Sequence, residues 1–353
     1  MLGDPESQSN PNRPAMPETP DAVPRVRPVP NALAEPSPVM RALLQRIARA
    51  GHPPLWTLSV QQARQAYDAA AGVLDVAPPS EVGVIDLDCP ARDATRLHVR
   101  RYLAGDGRSG AAWEDPPGAL LYMHGGGFVI GSVLTHDIVC RQLALYSGCA
   151  VLSLDYRLAP QHPFPTAVDD AWDALIWLRE NAPMLGINPE RIAVGGDSAG
   201  GTLAAVCAIM ARDAGWPLAL QVLFYPGTAG WANTASAQRY AHGYLLEREH
   251  LDWFFGHYLR DPAERDDWRF APLLANDLSA LAPAWIGLAG CDLLHDEGVL
   301  YADRLRQAGV AVELHEWPGV THDFIRMGRA LHEAGEAVRA AAAALREALC
   351  MQA

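Results

Sequence analysis

The pattern of hydrophobic and polar positions changes character twice along the chain. Apolar residues first recur at helical spacing in residues 38–50 and 57–73, with Ser59 placed to cap the second helix. Residues 82–88 and 96–103 then alternate between apolar and polar, which predicts two half-covered strands joined as a hairpin. Six later runs are mainly apolar and predict strands covered on both faces: residues 118–123, 149–154, 192–196, 218–225, 284–290 and 310–317.

Amphipathic stretches of helical length separate most of the apolar runs, for example residues 166–182 and 297–309. Strands and helices therefore alternate, and this order is typical of parallel sheets whose strands are joined by helices. The predicted fold class is α/β, with a mostly parallel eight-stranded sheet flanked by helices.

Two segments fall outside this alternation. The proline-rich opening segment cannot bury enough apolar surface to offset its ordering entropy, so we expect it to be disordered. The long connection between residues 226 and 283 is rich in aromatic residues, and we expect it to fold with the N-terminal helices into a cap over the C-terminal edge of the sheet. The predicted domains are a tail (1–37), N-terminal cap helices (38–80), a cap insertion (228–270) and an α/β core (81–227 and 271–353).

Charge and composition exclude several classes of function. The 353 residues carry a formal net charge of −13 and contain no lysine. Nucleic-acid binding is not expected, because it needs a concentrated basic surface. Without lysine there can be no Schiff-base enzyme, pyridoxal-phosphate site, P-loop lysine or Ser–Lys dyad.

Cysteine usage and the lack of targeting segments predict a cytoplasmic protein. The start of the chain has acids and prolines where a secretion signal would need an apolar run, and no run is long enough to span a membrane. We expect no stable membrane insertion. The six cysteines form no C-x-x-C pair and are expected to be buried thiols: Cys89, Cys140, Cys149, Cys207, Cys291 and Cys350.

Ser198 lies in a G-x-S-x-G pattern at the end of a predicted strand and the start of a predicted helix. The pattern alone fits a glycine-rich turn as well as a nucleophile. A sharp strand-to-helix turn would, however, expose the serine, and the helix N-terminus would place backbone N–H groups near a developing oxyanion. Upstream, His124 to Gly127 end another buried strand, and three glycines allow a loop whose amides face a carbonyl oxygen. The two motifs together predict an acyl-transfer site.

Five motifs in this order resemble those of the hormone-sensitive-lipase-like branch of the α/β-hydrolase esterases, the microbial family IV carboxylesterases. The likeness extends from about residue 82 to the C-terminus and is looser in the cap. The motifs are HGGGF (124–128), DYRLAPQHPFPTAVDDAW (155–172), GDSAGG (196–201), CDLLHDEG (291–298) and THDF (321–324).

The resemblance implies a role for each matching residue: Ser198 as nucleophile, His322 as general base and Asp292 as the carboxylate that orients it. The strand pattern agrees, because each of the three follows a predicted strand in the chain order Ser, Asp, His. The expected oxyanion hole is formed by the amides of Gly125, Gly126 and Ala199, and the expected substrate-binding residues are His124, Gly127, Phe128 and Asp197.

The sequence departs from the family pattern beside two of these residues. Asp323 follows His322 where relatives usually have glycine, and an adjacent carboxylate favours the imidazolium form. Leu293 follows Asp292 where proline is common. Other polar residues are given structural roles: Asp155, Tyr156 and Arg157 brace the glycine loop, Asp296 and Glu297 start a helix or support the site, and His136, His162 and His295 are structural or at the surface.

The implied activity is hydrolysis of short- to medium-chain acyl esters through an acyl-enzyme, with no metal or organic cofactor. The substrate is a small ester. Cleavage of amides, carbamates or lactones at the same site remains an alternative, and so does a non-catalytic receptor built on the same fold. Relatives often dimerise through the last strand of the sheet, so the resemblance leaves a homodimer open.

Overall fold

The computed structural model describes residues 34–105, 116–231 and 233–350. Residues 1–33 of the predicted tail lie outside the described residues. The predicted boundary at residue 37 is too late, because Ala34 accepts a hydrogen bond from the Tyr240 hydroxyl (2.8 Å) and Glu35 pairs with Arg239 (2.6 Å).

The eight strands form one sheet in the order β1-β2-β4-β3-β5-β6-β7-β8. Strand β2 is antiparallel to both of its neighbours, β1 and β4, and the remaining pairs are parallel. The predicted α/β class, hairpin and mostly parallel sheet are thus confirmed. The strands are β1 (Val82–Pro90), β2 (Arg96–Ala104), β3 (Ala119–Met123), β4 (Ala150–Asp155), β5 (Ile192–Asp197), β6 (Leu220–Phe224), β7 (Ala284–Ala289) and β8 (Val312–Trp317).

The helices begin where local chemistry caps their free N–H groups. Ser37 accepts from the Met40 amide at the start of the first helix, and Ser59 with Gln62 forms a capping box on the second. The helices are α1 (Pro38–Ala50), α2 (Val60–Ala70), α3 (Asp137–Ser147), α4 (Thr166–Asn181), α5 (Ala199–Asp213), α6 (Ala235–Arg239), α7 (Arg248–Tyr258), α8 (His295–Gln307) and α9 (His332–Leu349).

Helices cover both faces of the inner strands. In β3, Leu121 and Met123 pack into one apolar cluster with α4, α5 and α8, whereas Leu120 and Tyr122 pack into a second cluster with α3 and α9. A strand buried on both faces is apolar at every position, which explains the uninterrupted runs. Strand β8 is the exception: it is an edge strand whose residues are half-buried or exposed, so the prediction that it is covered on both faces is wrong.

Segments predicted to form the cap contact the loops at the C-terminal ends of the strands. Phe128, which follows β3, stacks on Tyr258 of α7 with ring centroids 4.1 Å apart. Trp56, just before α2, contacts His250 of α7 edge-on at 4.4 Å. Arg64 of α2 donates to the carbonyl oxygens of Val129 and Ala159, each at 2.8 Å. The segments that contain α2 and α7 therefore lie over the edge of the sheet where Ser198 follows β5.

The cysteines follow the expectation in four cases of six. Cys89, Cys140, Cys207 and Cys291 are buried free thiols. Cys149 at the start of β4 and Cys350 after α9 are joined in a disulfide, which the sequence spacing of 201 residues did not suggest. In the described part of the chain, no helix combines the length and the hydropathy needed to cross a membrane.

Candidate active site

Ser198 occupies a strained turn between β5 and α5. Its backbone has φ 53° and ψ −121°, a left-handed value of φ that a residue with a Cβ seldom adopts. The turn also needs glycines on both sides, because a Cβ at Gly196 or Gly200 would overlap the carbonyl oxygen of Met123 at the end of β3. The serine is thereby held at the tip of the turn, in front of the helix N-terminus.

His322 and Asp292 lie in line behind Ser198. The Nε2 atom of His322 is 2.9 Å from the Ser198 Oγ, and its Nδ1 is 2.6 Å from Asp292 Oδ2. The other carboxylate oxygen of Asp292 accepts from the Leu294 amide at 3.0 Å, which fixes the carboxylate. Three residues predicted from separate loops thus form one hydrogen-bonded row, with Asp292 and His322 almost fully buried.

The electrostatic surroundings of His322 favour its protonated form. Burial lowers the pKa of His322, but the hydrogen-bonded Asp292 carboxylate more than offsets this, and Asp323 adds to the increase. The net result is a raised pKa. The ring also packs 4.6 Å from that of Tyr225, a neighbour that follows β6 and that sequence reasoning missed.

The amides of the glycine loop differ in whether they already have a hydrogen-bond partner. The N–H of Gly125 donates to Asp197 Oδ1 at 3.0 Å, so it is not free to bind an oxyanion. Gly127 instead borders the same cavity as Ser198 and Ala199. The amides of Gly126 and Gly127 have no hydrogen-bond partner within the described ranges. Of the three predicted oxyanion donors, Gly125 is therefore already engaged, and Gly126 and Gly127 are the loop residues whose amides are left unbound by the described residues.

Asp197 connects the glycine loop with the serine turn. Its carboxylate accepts from the Tyr122 hydroxyl at 2.6 Å and contacts His136 Nε2 at 3.2 Å, in addition to the Gly125 amide. Burial raises the pKa of Asp197, but the charge and hydrogen bond of His136 outweigh it and leave the pKa at about 2. The group is therefore ionised, and it holds the loop in place.

Two of the four predicted substrate-binding residues do not face the cavity. His124 and Asp197 are fully buried behind the glycine loop, whereas Gly127 and Phe128 line the cavity as expected. The prediction is therefore wrong for these two residues: the Nδ1 atom of His124 contacts the Gly125 carbonyl oxygen at 2.7 Å, and the Asp197 carboxylate is held by Tyr122, Gly125 and His136. His136 is buried and structural, as expected.

Residues 155–157 were expected to brace the glycine loop. The Tyr156 hydroxyl contacts the loop directly, because it donates to the carbonyl oxygen of His124 at 2.8 Å. Asp155 accepts from the amide of Val133, which follows the loop, at 3.2 Å. Arg157 instead pairs with Asp170 and Asp93, away from the glycine loop.

The cavity in front of Ser198 is a cleft of about 540 Å³, counting the solvent space at its mouth. Phe254 of α7 closes it from above and lies so near Gly127 that a Cβ there would overlap its ring. Of the aromatic residues in the cap insertion, Phe254, Phe255 and Phe270 line the cleft. Its other apolar lining residues are Phe128, Ala199, Ala229, Leu246, Leu251 and Leu294.

Glu297 is a buried carboxyl group on the wall of this cavity. Its Oε1 accepts from the amides of Thr228 at 2.6 Å and Ala229 at 3.1 Å. Burial raises the pKa of Glu297 to about 8, although these two amides oppose the increase. From the sequence, we expected Glu297 to start a helix or to support the site, and its hydrogen bonds to the cavity wall are consistent with support. The sequence alone did not indicate that Glu297 borders the cavity.

Potential metal ligands occur in two places. In the described chain, the donor atoms of His136, Asp197 and Asp323, and separately those of His242, Glu247 and Glu249, lie within 4.8 Å of one another. In the first group, Asp197 already binds Tyr122 and Gly125. In the second, His242 is exposed while Glu247 and Glu249 are half-buried, and Glu247 already accepts from the Gly243 amide at 2.6 Å. Neither group is needed for the chemistry of the serine row.

Asp323 has a backbone geometry that favours glycine, the residue that the family pattern led us to expect there. Its φ is 65°, in the left-handed region, and its carboxylate pairs with the buried Arg326 at 3.1 Å. Asp323 nevertheless helps to raise the pKa of His322. The ion pair with Arg326 weakens this influence but does not cancel it.

Replacing Asp323 by glycine is expected to shift the acidic limb of the pH profile of kcat/KM to lower pH. The base must be neutral to accept a proton, and removing a nearby negative charge lowers the pKa at which His322 becomes neutral. Asp323→Asn, which also tolerates a positive φ, should shift the limb in the same direction. A limb that moves in neither variant would show that Asp323 has no influence on His322.

Known proteins are similar to this chain over most of its length. A family model described as the alpha/beta hydrolase fold matches residues 120–326. Ethyl acetate hydrolase of Pseudomonas putida is 44% identical over 302 residues, which covers 84% of this chain and 92% of that protein. Carboxylesterase NlhH of Mycobacterium tuberculosis is 43% identical over 234 residues, covering 65% and 73%. An ester hydrolase from the Lake Arreo metagenome, solved with a bipyridine phosphonate derivative, has a TM-score of 0.83 at 41% identity, covering 88% and 98%.

Proposed function

The chain belongs to the hormone-sensitive-lipase-like branch of the α/β-hydrolase family and is a carboxylic ester hydrolase, and from this premise we propose that it acts through Ser198, His322 and Asp292 on esters of short- to medium-chain acids. The observation that carries the proposal is the row of hydrogen bonds from Ser198 Oγ through His322 to Asp292, of 2.9 and 2.6 Å, whose serine end borders a mainly apolar cavity.

Acylation begins at the serine. His322 Nε2 accepts the proton of the Ser198 hydroxyl as its Oγ attacks the ester carbonyl carbon, and Asp292 stabilises the imidazolium that forms. The N–H groups of Gly126, Gly127 and Ala199 donate to the oxyanion of the tetrahedral intermediate. When the intermediate collapses, the imidazolium returns the proton to the leaving alcohol and the acyl group stays on Ser198.

Deacylation repeats these steps with water in place of the serine. His322 takes a proton from water as it attacks the acyl carbon, and the same three amides receive the negative charge. Collapse of the second intermediate releases the acid and restores the Ser198 hydroxyl. The support for one set of residues serving both steps is that Ser198, Gly127 and Ala199 border a single cavity.

The aromatic lining of the cavity supports a limit on acyl chain length. Phe254 and Phe255 of α7 line the cavity together with Ser198, and a wall of rigid aromatic side chains restricts the length of chain that can be buried. The name of the P. putida relative, an ethyl acetate hydrolase, is in keeping with small esters.

A hydrolysis screen tests the proposal directly. We expect kcat/KM for p-nitrophenyl esters to rise from acetate to a maximum between butyrate and octanoate, since each buried methylene contributes about 0.8 kcal/mol, and to fall beyond it. Matched anilides should react far more slowly. Stoichiometric labelling of Ser198 by an organophosphonate would exclude a non-catalytic receptor. A rate that still rises at palmitate, or that jumps at an oil–water interface, would contradict the proposed acyl preference.

Replacing Phe254 by alanine is expected to move this maximum to longer acyl chains. Loss of the ring opens the space above Gly127, so that a longer chain can be buried while a butyrate ester loses contacts. The measurement is the ratio of kcat/KM for p-nitrophenyl decanoate to that for the butyrate. Trp253→Ala is the matched control, because the neighbouring Trp253 does not line the cavity. An equal change in both variants would rule out a specific role for Phe254.

A further inference from the structure

The wall of the cavity carries one carboxyl group that takes no part in the proposed mechanism. Glu297, in the first turn of α8, is 2% exposed and borders the same cavity as Ser198. Nearly all of its neighbours on that wall are apolar. The hydroxyl of Thr202, a polar exception, is already engaged, because it donates to the carbonyl oxygen of Gly227 at 2.5 Å.

The two oxygens of Glu297 differ in their surroundings. Both amide hydrogen bonds, from Thr228 and Ala229, fall on Oε1. Within residues 34–105, 116–231 and 233–350, Oε2 has no hydrogen-bond partner. A carboxyl oxygen that a bound ligand covers without supplying a hydrogen bond loses its contact with water, so a ligand that does supply one gains binding energy there.

Backbone hydrogen bonds connect the turn of Ser198 with the segment that binds Glu297. The amide of Gly227 donates to the carbonyl oxygen of Ser198 at 3.4 Å, and the next residue, Thr228, donates to Glu297. Because Ser198 and Glu297 line one cavity, an acyl chain bound there can bring a polar group to the carboxyl group, whereas an alkyl chain beside it would leave Oε2 unpaired.

The charge state of Glu297 suits an apolar cavity. Two titratable groups act on Glu297: Asp292 raises its pKa and His322 lowers it. The charge of Asp296, the preceding residue on α8, is paired with His295. Burial is the largest cause and raises the pKa of Glu297 to about 8, so near neutral pH the carboxyl is protonated. Because Oε1 accepts two N–H groups, the proton falls to Oε2, which can then donate to an oxygen atom of the substrate.

We propose that Glu297 is a specificity-determining residue that hydrogen-bonds an oxygen atom on the acyl chain, which makes esters of short oxo and hydroxy acids a preferred substrate class. This inference rests on the proposed function, since it takes the acyl chain to occupy the cavity beside Ser198.

Matched pairs of esters test the proposal. Ethyl 4-oxopentanoate is compared with ethyl 4-methylpentanoate, and each enantiomer of ethyl 3-hydroxybutanoate with ethyl 3-methylbutanoate, by pH-stat titration at pH 7. The readout is the kcat/KM for the oxo or hydroxy ester divided by that for its methyl analogue. A general loss of activity cancels in this ratio. The variants are Glu297→Gln, whose amide nitrogen can still donate, and Glu297→Leu, which has no polar atom.

In at least one pair, we expect the ratio for Glu297→Leu to be about tenfold lower than for the wild type, the typical effect of leaving one buried polar group unpaired. Glu297→Gln should stay within about threefold of the wild type. Ratios that agree within twofold in all three proteins and both pairs would overturn the inference. If the wild type hydrolysed none of these esters, the proposed function itself would fail, which is a separate outcome.

A pH series keeps the test decisive if Glu297→Leu does not fold. As pH rises through about 8, wild-type Glu297 loses the proton on Oε2 and can no longer donate to a ketone. The ratio for the 4-oxopentanoate pair should therefore fall in the wild type and stay level in Glu297→Gln. Titration of His322 affects both esters of a pair alike. A level ratio in both proteins would contradict the inference.

Discussion

Replacing Ser198 by alanine is expected to lower kcat by several orders of magnitude, up to about 10⁶, because the attacking oxygen is lost. His322 and Asp292 would keep their 2.6 Å hydrogen bond but would have no hydroxyl to activate. The measurement is kcat on p-nitrophenyl butyrate, with the thermal unfolding midpoint as a check that the variant is folded.

Ser198→Gly is the matched control for this experiment. The backbone at position 198 has φ 53°, which glycine adopts without strain, so any loss of stability from alanine should be absent from the glycine variant. Both variants lack the nucleophile, and both should be inactive. A loss of less than tenfold in folded protein would refute the assignment of Ser198.

Changing Asp292 to asparagine is expected to reduce kcat by about 10⁴, the second-largest effect predicted. An asparagine amide facing Nδ1 favours the imidazole tautomer that carries its proton on Nε2, and such a ring cannot accept the proton of Ser198. Binding should change much less, since Asp292 is not part of the cavity lining. Steady-state kinetics would therefore show the loss in kcat rather than in KM.

Asp296→Asn provides the comparison for Asp292. Asp296 lies four residues further along, and its carboxylate accepts from the Ser236 amide at 2.9 Å and pairs with His295 at 3.0 Å. Its replacement should lower the free energy of unfolding by about 1 kcal/mol, the net value of such a hydrogen bond, and leave kcat within a few-fold. If Asp296→Asn abolished turnover and Asp292→Asn did not, the triad carboxylate would be misassigned.

Periodicity was sufficient to predict the sheet because burial on both faces dictates the residues of each inner strand. The runs that became β3, β5 and β7 are apolar at almost every position, and the alternating runs became the β1–β2 hairpin. The same reasoning failed at β8, whose apolar residues cover one side of a sheet edge rather than a buried interior. Glu313 and Glu316 interrupt this run, so its pattern is closer to that of a half-covered strand than to that of an inner one.

The site was predictable as far as motifs reach along the chain. Ser198, Asp292 and His322 each follow a strand, so their convergence follows from the sheet topology. Which glycine amides face the cavity depends instead on Asp197, whose side chain accepts the Gly125 N–H across 72 positions of sequence. Such a contact depends on tertiary packing, as does the place of Glu297 in the cavity wall.

The carboxylate of Asp197 has a consequence for protein engineering. Asp197 precedes the nucleophile, and its carboxylate holds the glycine loop by accepting the N–H of Gly125. Tyr122 and His136 in turn hold the carboxylate. An HGGGF loop transplanted into another hydrolase without these three side chains would lack its anchor. The transferable module is therefore the loop together with Tyr122, His136 and Asp197, and directed evolution of the loop should find its tolerated changes at positions other than Gly125.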